Sequence, residues 1–314
     1  MAAWKILITD GLEENGLNIM RQSAEVVDRA GISADELLKV VGEYDALIVR
    51  GRTKVTPAVF EAGSRLTVVG RAGVGVDNID LNAAKQHGVK VVNSPLATTV
   101  AVAELTLSLI LSLVREVPRA DAAMKNGKWL KKELEGTELC EKTLGIIGFG
   151  RIGQAVAKRA NCFEMNVVVV CDPFVNCDIV AKSGCEAVSL DELLEKSDII
   201  TLHVPLSSET RELIGKEQFA MMKPGVRIID TARGGVIDET ALLDALETGK
   251  VAGAALDVFS SEPPGLTALV SHPRVIATPH VGAQTVEAQQ RAATDIATEI
   301  MAALHGKDLR WRVA

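Results

Sequence analysis

Short apolar runs recur along the 314-residue chain, and between them lie longer stretches whose apolar positions return every three or four residues. The first pattern predicts strands and the second predicts helices. Residues 4–9 read as a strand and 11–21 as a helix, with Leu12, Leu17 and Met20 on its apolar face. A short strand at 24–27 follows. Ser33 caps a helix through Val40, Ala46–Val49 is the next strand, and Thr56-Pro57 opens another helix. Residues 66–69 and 89–92 add two strands with a short helix between them. A polar break at 93–99 then leads into a long helical stretch from Val100 to about Lys125. Beyond it, Thr143–Ile147, 167–171, Ile199–Leu202, 226–229 and 251–255 read as strands, and a helix from about Thr285 to Leu304 closes the chain.

Regular alternation of strand and helix predicts the α/β class with parallel sheets. The expectation is two Rossmann-like domains, one flavodoxin-like and one doubly wound. The last helix is expected to return to the first domain and make it discontinuous. The boundaries are then 1–97 with 285–314 for a substrate-binding domain, and 98–284 for a nucleotide-binding domain.

Composition sharpens this picture in three places. Aromatic residues make up only 3% against 47% hydrophobic, so the core is aliphatic, which suits parallel strands buried on both faces. A net charge of −7 argues against a nucleic-acid or anionic-membrane partner, and an anionic ligand must be drawn in by a local cluster of Arg and Lys. Cys140, Cys162, Cys171, Cys177 and Cys185 form no CxxC pair and read as reduced thiols, with no metal site. The first residues lack a signal-peptide pattern. The apolar stretch 100–114 is interrupted by Glu104 and is short for a bilayer. A soluble cytoplasmic protein is expected.

The densest signal is the turn after Thr143–Ile147. Gly148-Phe-Gly150-Arg-Ile-Gly153 follows the strand at once, then come a helix, the apolar run 167–171 and Asp172. Gly148 permits the tight turn, Gly150 lets a pyrophosphate approach the backbone, and Gly153 lets the helix pack on the strand. The helix opening near Arg151 points its free N–H groups at the phosphates. Asp172 stands at about the distance, roughly 20 residues, expected of an acid that holds a ribose 2′-hydroxyl. A carboxylate there repels a 2′-phosphate, so the cofactor reads as NAD rather than NADP.

Three polar groups stand at the ends of later elements: Arg233 in Thr231-Ala-Arg233-Gly-Gly, Glu262 in Asp257-Val-Phe-Ser-Ser-Glu262-Pro, and His280 in Thr278-Pro-His280-Val-Gly282. Hydride transfer to a keto acid needs a planar cation to grip the carboxylate, a proton donor for the developing alkoxide, and an acid to orient that donor. Arg233, His280 and Glu262 can fill these roles in turn. The spacing leaves alternatives open. His87, His203, His272 and His305 compete with His280, Arg233 could serve a surface ion pair, and Glu262 could be a solvated turn acid. His203 beside Pro205 reads as structural or cofactor-adjacent, and Asp257 caps a turn or faces the nicotinamide. In the first domain, Arg50 and the segment Arg71-Ala-Gly73-Val-Gly75-Val-Asp77-Asn78 follow adjacent strands. They form either an anion-binding mouth for a doubly charged substrate such as a phosphorylated acid, or ion pairs with neighbouring acids.

Taken together, Gly148-x-Gly150-x-x-Gly153, His203-x-Pro205-Leu, Thr231-Ala-Arg233-Gly-Gly, Asp257-Val-Phe-x-x-Glu262-Pro and Pro279-His280 resemble the D-isomer-specific 2-hydroxyacid dehydrogenases. Further phrases, Val69 to Asn78, Gly127-Lys-Trp129, Gly136-Thr-Glu-Leu139 and Gly253 to Phe259, extend the likeness over essentially the whole chain. The resemblance implies an NAD-dependent oxidoreductase in which Arg233 and Glu262 belong to the active site and His280 donates the proton. It implies NAD contacts at Gly148, Gly150, Arg151, Ile152, Gly153 and Asp172, and at His203, Val204 and Pro205. It extends them to Thr231, Ala232, Arg233, Asp257, His280, Gly282 and Ala283, with Val74 from the first domain. The substrate, a small phosphorylated 2-hydroxy acid, is assigned to Arg50, Arg71 and Gly73, and to Lys131 reaching a neighbouring subunit's site. A homodimer through the long helix of the NAD-binding domain is implied. Many relatives carry regulatory domains after the catalytic unit, so a short form or a truncated chain is expected.

Some positions depart from the pattern. Leu-Ala-Thr-Thr follows Pro95 where relatives carry an Asn-rich turn, Lys131 replaces an Arg and loses its planar fork, and Val204 replaces a Thr. The alternatives are another member of the family, such as a glyoxylate or hydroxypyruvate reductase, and a dehydrogenase-like co-repressor that senses NADH.

Overall fold

The computed structural model describes residues 4–170, 175 and 177–314. The chain divides into two compact units. One runs to Thr98 and resumes over Ala283–Ala314, and the other is Thr99–Gly282.

The first unit alternates β1 (Trp4–Ile8), α1 (Glu14–Arg21), β2 (Ala24–Asp28), α2 (Ala34–Val40), β3 (Ala46–Val49), α3 (Pro57–Ala62), β4 (Val68–Arg71), α4 (Leu81–Gln86) and β5 (Lys90–Asn93). Its sheet is parallel with order β2-β1-β3-β4-β5, the flavodoxin-like arrangement. Successive side chains point to opposite faces. Leu7, Leu47, Val69 and Val91 therefore meet α2, α3 and α4, while Ile6, Ile8, Ile48 and Val68 face the other way. Every one of these is fully buried, and a fully buried aliphatic side chain contributes about 1.5–3 kcal/mol. Local signals agree with this packing: Ser33 and Glu36 form a reciprocal capping box at α2.

The opposite face is covered by α1 and by the final helix, which returns from the other end of the chain. Its Ile296 and Ile300 sit so close over Gly70 that a Cβ there would stand 2.8 and 2.9 Å from them. The last residues run antiparallel along β5, with the Val91 amide donating to the Ala314 carbonyl at 3.1 Å and a bridge from Val92 to Arg312. An otherwise open sheet edge is thereby covered.

The second unit opens on α5 (Thr99–Val114) and α6 (Val117–Lys125), then β6 (Thr143–Ile147), α7 (Arg151–Ala160), β7 (Asn166–Val170), α8 (Cys177–Lys182), β8 (Glu186–Val188), α9 (Leu190–Lys196) and β9 (Ile199–Leu202). It continues with α10 (Lys216–Met221), β10 (Val226–Asp230), α11 (Glu239–Glu247), β11 (Val251–Leu256) and β12 (Val275–Ala277). The returning helix of the first unit is α12 (Val286–Leu304). The sheet is parallel, ordered β12-β11-β10-β9-β6-β7-β8. Counted from β6, this is the doubly wound nucleotide-binding order with one strand added. α5 and α7 cover one face through Ile110, Leu107 and Val156, and α9, α10 and α11 cover the other through Leu193, Phe219 and Leu242.

Three points differ from the sequence reading, and one expected residue falls outside the described ones. The helical stretch from Val100 breaks in two, because Glu116 takes a left-handed φ of 50° and Pro118 stands in the first turn of α6, where its missing N–H costs nothing. β8 and β12 are absent from that reading. Each is an outermost strand of three residues, paired on one side and partly exposed; β8 has a single buried residue, and the apolar Val275-Ile276-Ala277 of β12 is shorter than the roughly four to eight residues that mark a strand. Cys140, Cys162 and Cys185 are free thiols, but Cys177 is disulfide-bonded, contrary to the expected full set of reduced thiols. Asp172 lies outside the described residues. Among those residues, no helix is long and apolar enough to cross a membrane, and no group of three or more His, Cys, Asp or Glu is arranged to hold a metal ion.

Candidate active site

The second unit reverses its strand order between β6 and β9, so the carboxyl ends of these strands flank a crevice. Gly148 turns there with φ of 96°, a conformation that costs an L-residue energy. A Cβ on it would stand 2.8 Å from the His203 backbone. The His203 amide donates to the Ile147 carbonyl at 2.7 Å, which fixes the two strand ends together. A Cβ at Gly153 would collide with the Gly148 carbonyl, so α7 can cross this closely only through glycine. Gly150 has open space on its Cβ side and caps α7 without a side-chain bond, so the first amides of α7, at Arg151 and Ile152, face outward for an anion.

His203 follows β9 at the same crevice. Its Nε2 lies 3.1 Å from the Thr201 hydroxyl, while its buried Nδ1 has no hydrogen-bond partner. Burial pushes its pKa down to about 3, so the ring is neutral. Val204 packs on the core beside it, and the Pro205 carbonyl accepts from Thr210.

β10 and β11 deliver the remaining groups. After β10, Thr231 donates its hydroxyl to Thr106 Oγ1 at 2.9 Å; the Thr106 proton is already committed to the Val102 carbonyl. Arg233 Nη1 donates to the Ala232 carbonyl at 2.7 Å. A Cβ at Gly234 would collide with the Phe259 backbone, and this close approach brings the Arg233 turn against the loop carrying Glu262. After β11, Asp257 is buried and serves as the frame of the next turn. Thr278 Oγ1, the Val281 amide and the Gly282 amide donate to its carboxylate at 2.6, 2.8 and 2.8 Å, and its carbonyl accepts from the His280 amide at 2.9 Å. These bonds hold His280 at a left-handed φ of 52°, an uncommon state for a non-glycine residue.

His280 Nδ1 lies 2.8 Å from Glu262 Oε2. Burial works to raise the Glu262 pKa. The hydrogen bond and charge of His280, the Phe259 amide and the Arg233 charge outweigh it and hold this carboxyl below the usual range. An ionised carboxylate only accepts, so Nδ1 carries a proton and donates to it. Nε2 is then the nitrogen presented to a ligand. Of the five histidines, His280 is the one paired with an acid in this way among the described residues.

In the first unit, Asn78 ties the two arginine segments together, donating to the Arg50 and Thr53 carbonyls at 2.9 and 2.6 Å. The Arg50 guanidinium stands 3.9 Å from Glu13, a loose pairing. Arg71 folds back over its own turn, occupying the space a side chain at Gly73 would need. The Val74 carbonyl accepts from Asn93 at 2.6 Å, and the Ala283 carbonyl accepts from Gln289 at 2.6 Å. Lys131 is exposed in a turn of the second unit.

The comparisons with known proteins fit this geometry. The family model described as D-isomer specific 2-hydroxyacid dehydrogenase, NAD binding domain, matches residues 107–282. The chain belongs to the D-isomer specific 2-hydroxyacid dehydrogenase family. A relative from Methanocaldococcus jannaschii named D-3-phosphoglycerate dehydrogenase is 48% identical over 304 residues, which is 96% of this chain and 58% of that protein. The chain spans little more than half the length of the first curated relatives it matches. Among solved structures, a glyoxylate reductase from Paecilomyes thermophila superposes with a TM-score of 0.91 at 30% identity, covering 100% of this chain and 99% of that one. A D-lactate dehydrogenase from Aquifex aeolicus complexed with NAD and lactic acid gives 0.83 at 32% identity and 96% coverage of both.

NAD is the cofactor of this dehydrogenase domain. The residues present fit it: an open cradle at Gly150, uncapped amides at the start of α7, and an orphaned buried nitrogen on His203 at the crevice. The sequence reading gave no role to Asp230 and Thr106, which hold the Arg233 turn from beneath. Asp230 had a visible signal, an acid closing an apolar strand as Asp257 does. Thr106 had none, since a threonine inside an apolar helix looks like any other small residue.

Proposed function

We propose that the chain oxidises D-3-phosphoglycerate to 3-phosphohydroxypyruvate, reversibly, as the first step of L-serine biosynthesis. The observation that carries this reading is the Glu262-held imidazole of His280 with the Arg233 charge on the same carboxylate. Bound NAD supplies the hydride acceptor. Arg233 grips the substrate carboxylate in a planar fork and polarises the carbon that changes oxidation state. His280 Nε2 takes the hydroxyl proton in oxidation and returns it in reduction, while Glu262 fixes the ring and faces its positive charge. Arg50, Arg71 and Gly73 bind the phosphorylated end. Support for the substrate comes from relatives named D-3-phosphoglycerate dehydrogenase at 45–48% identity.

The deciding experiment is an NADH oxidation assay across 2-keto acids with and without a phosphate group. Phosphohydroxypyruvate is expected to win clearly, and equal rates on glyoxylate would overturn the choice. The competing reading, a glyoxylate or hydroxypyruvate reductase, is favoured by the similarity to a solved glyoxylate reductase. A pure NADH-sensing co-repressor is excluded if turnover exists and His280→Ala abolishes it.

The protein is further read as a cytoplasmic homodimer assembled through α5 and α6. A groove of about 560 Å³ between these helices, where Leu111, Val117, Ala120 and Met124 are interleaved with two serines and the charged Arg115 and Asp121, supports that surface, with Val117 and Met124 more than half exposed. Lys131 then reaches the neighbouring site. Light scattering on the purified protein tests the assembly, and a monomer at all concentrations would refute it.

A further inference from the structure

β10 ends in Asp230, an acid only 2% exposed. Its Oδ1 accepts from the Ala232 amide at 2.8 Å, and the Arg233 amide donates to the same carboxylate. The Ala232 carbonyl in turn accepts from Arg233 Nη1 at 2.7 Å. Ala232 is therefore gripped on both sides, by the acid at its N–H and by the guanidinium at its C=O. Together with the Thr231–Thr106 hydroxyl pair, this pins the base of Arg233 to a buried carboxylate.

The charged and titratable groups around Asp230 come from several elements. Asp257, closing β11, repels its charge, and Arg233 on the following turn attracts it. Glu239 of α11 lines, with Asp230, a cavity of about 10 Å³. From β9 the register partner is Leu202, followed by the neutral His203, and α5 reaches the neighbouring Thr231 through the Thr106 hydroxyl. Burial pushes the Asp230 carboxyl up to about 7, against the Ala232 and Arg233 amides and the Arg233 charge, and with help from Asp257.

We propose that Asp230 is a positioning residue for Arg233, holding the 231–234 turn in its substrate-gripping form while its own carboxylate is ionised. The proposal rests on the reading of Arg233 as the group that grips the substrate carboxylate. Bonds from amides to a carboxylate are about twice as strong as neutral ones. Protonation replaces one of its accepting oxygens by a hydroxyl and weakens the hold on both amides. Asp230→Asn keeps an acceptor in place but cannot titrate.

The test compares KM for phosphohydroxypyruvate, at saturating NADH, in wild type and Asp230→Asn between about pH 8 and about pH 6. Taking the ratio of the two KM values removes every pH effect that both proteins share. The wild-type to Asn ratio is expected to rise about tenfold toward pH 6, because affinity falls with the competent fraction. The kcat ratio stays within about twofold. A KM ratio that is flat across this range overturns the proposal. A second arm needs no turnover: hydrogen exchange of the peptide spanning 231–236, normalised for the intrinsic rate. Protection is expected to fall toward pH 6 in wild type and to stay constant in the Asn variant. Titrating protection without activity on any 2-keto acid supports the positioning role and refutes the functional reading. Protection that does not titrate refutes the positioning role.

Discussion

Both sheets reverse their strand order once, at β1 and β3 in the first unit and at β6 and β9 in the second. Open parallel sheets take ligands at such points. The two units use theirs in opposite ways. In the first, Asp10 fills the position: it accepts from the Arg50 and Thr53 amides at 2.7 and 3.1 Å and from the Thr53 hydroxyl at 2.6 Å, and its side chain is 4% exposed. The carboxylate takes up the Arg50 and Thr53 amides, and its charge is met by Arg52 Nη2 at 3.1 Å. In the second, Phe149 between Gly148 and Gly150 stands at the matching position with no acid, and the amides of α7 are left facing outward. Strand order fixes where a ligand can go, and the residues after the first strand decide whether backbone amides or only arginine side chains are left to meet an anion.

Four measurements test this contrast between the units. The largest effect is expected at the second unit's chemistry. His280→Ala should lower kcat by about 10²–10⁴ while the NAD dissociation constant moves less than about twofold. Activity within tenfold of wild type would remove His280 from the reaction.

The next is the pH dependence of stability. The folded Asp230 carboxyl sits near 7 against an ordinary value of 3.8, so the folded state holds this proton more tightly than the unfolded chain does. Its contribution to stability is full below about pH 4 and is lost as pH rises through about 7, with a slope of at most about 1.4 kcal/mol per pH unit. Urea unfolding of Asp230→Asn should lack that slope, and identical slopes in the two proteins would contradict the assignment.

Arg71→Ala should raise KM for the phosphorylated substrate at least about tenfold, the worth of one hydrogen bond to a charged group at about 1.5 kcal/mol. The dissociation constant for NAD should hold. If both suffer equally, the anion-binding assignment in the first unit is wrong. The smallest effect belongs to Asp10→Ala, which leaves two amides unpaired and should cost about 1–3 kcal/mol of stability. NAD affinity is expected to stay the same, and a fall in it would tie the first switch point to the cofactor.

Much of this was legible along the chain. The central strands β1, β3, β6, β9, β10 and β11 are buried on both faces and therefore had to be written as apolar runs. The Gly148 turn was legible because only glycine tolerates that φ and that close approach. β8 and β12 were not, since an outermost strand owes its existence to its neighbour's hydrogen bonds. The break at Glu116 had a signal in Pro118, but the apolar spacing that runs through it hid that signal until the left-handed φ was seen.

The site divides along the same line. Read along the chain alone, the class and the glycine turn were already legible, because periodicity and glycine placement are local properties; Arg233, Glu262 and His280 stood out as candidates with rivals still open. Which histidine meets an acid was set by the packing of distant segments, with His280 and Glu262 at 2.8 Å and His203 left neutral by burial. That packing alone showed that Asp257 frames the His280 turn and that Asp230 carries the Arg233 turn. Those roles arise from desolvation and from contacts between segments far apart in the chain, which no local pattern encodes.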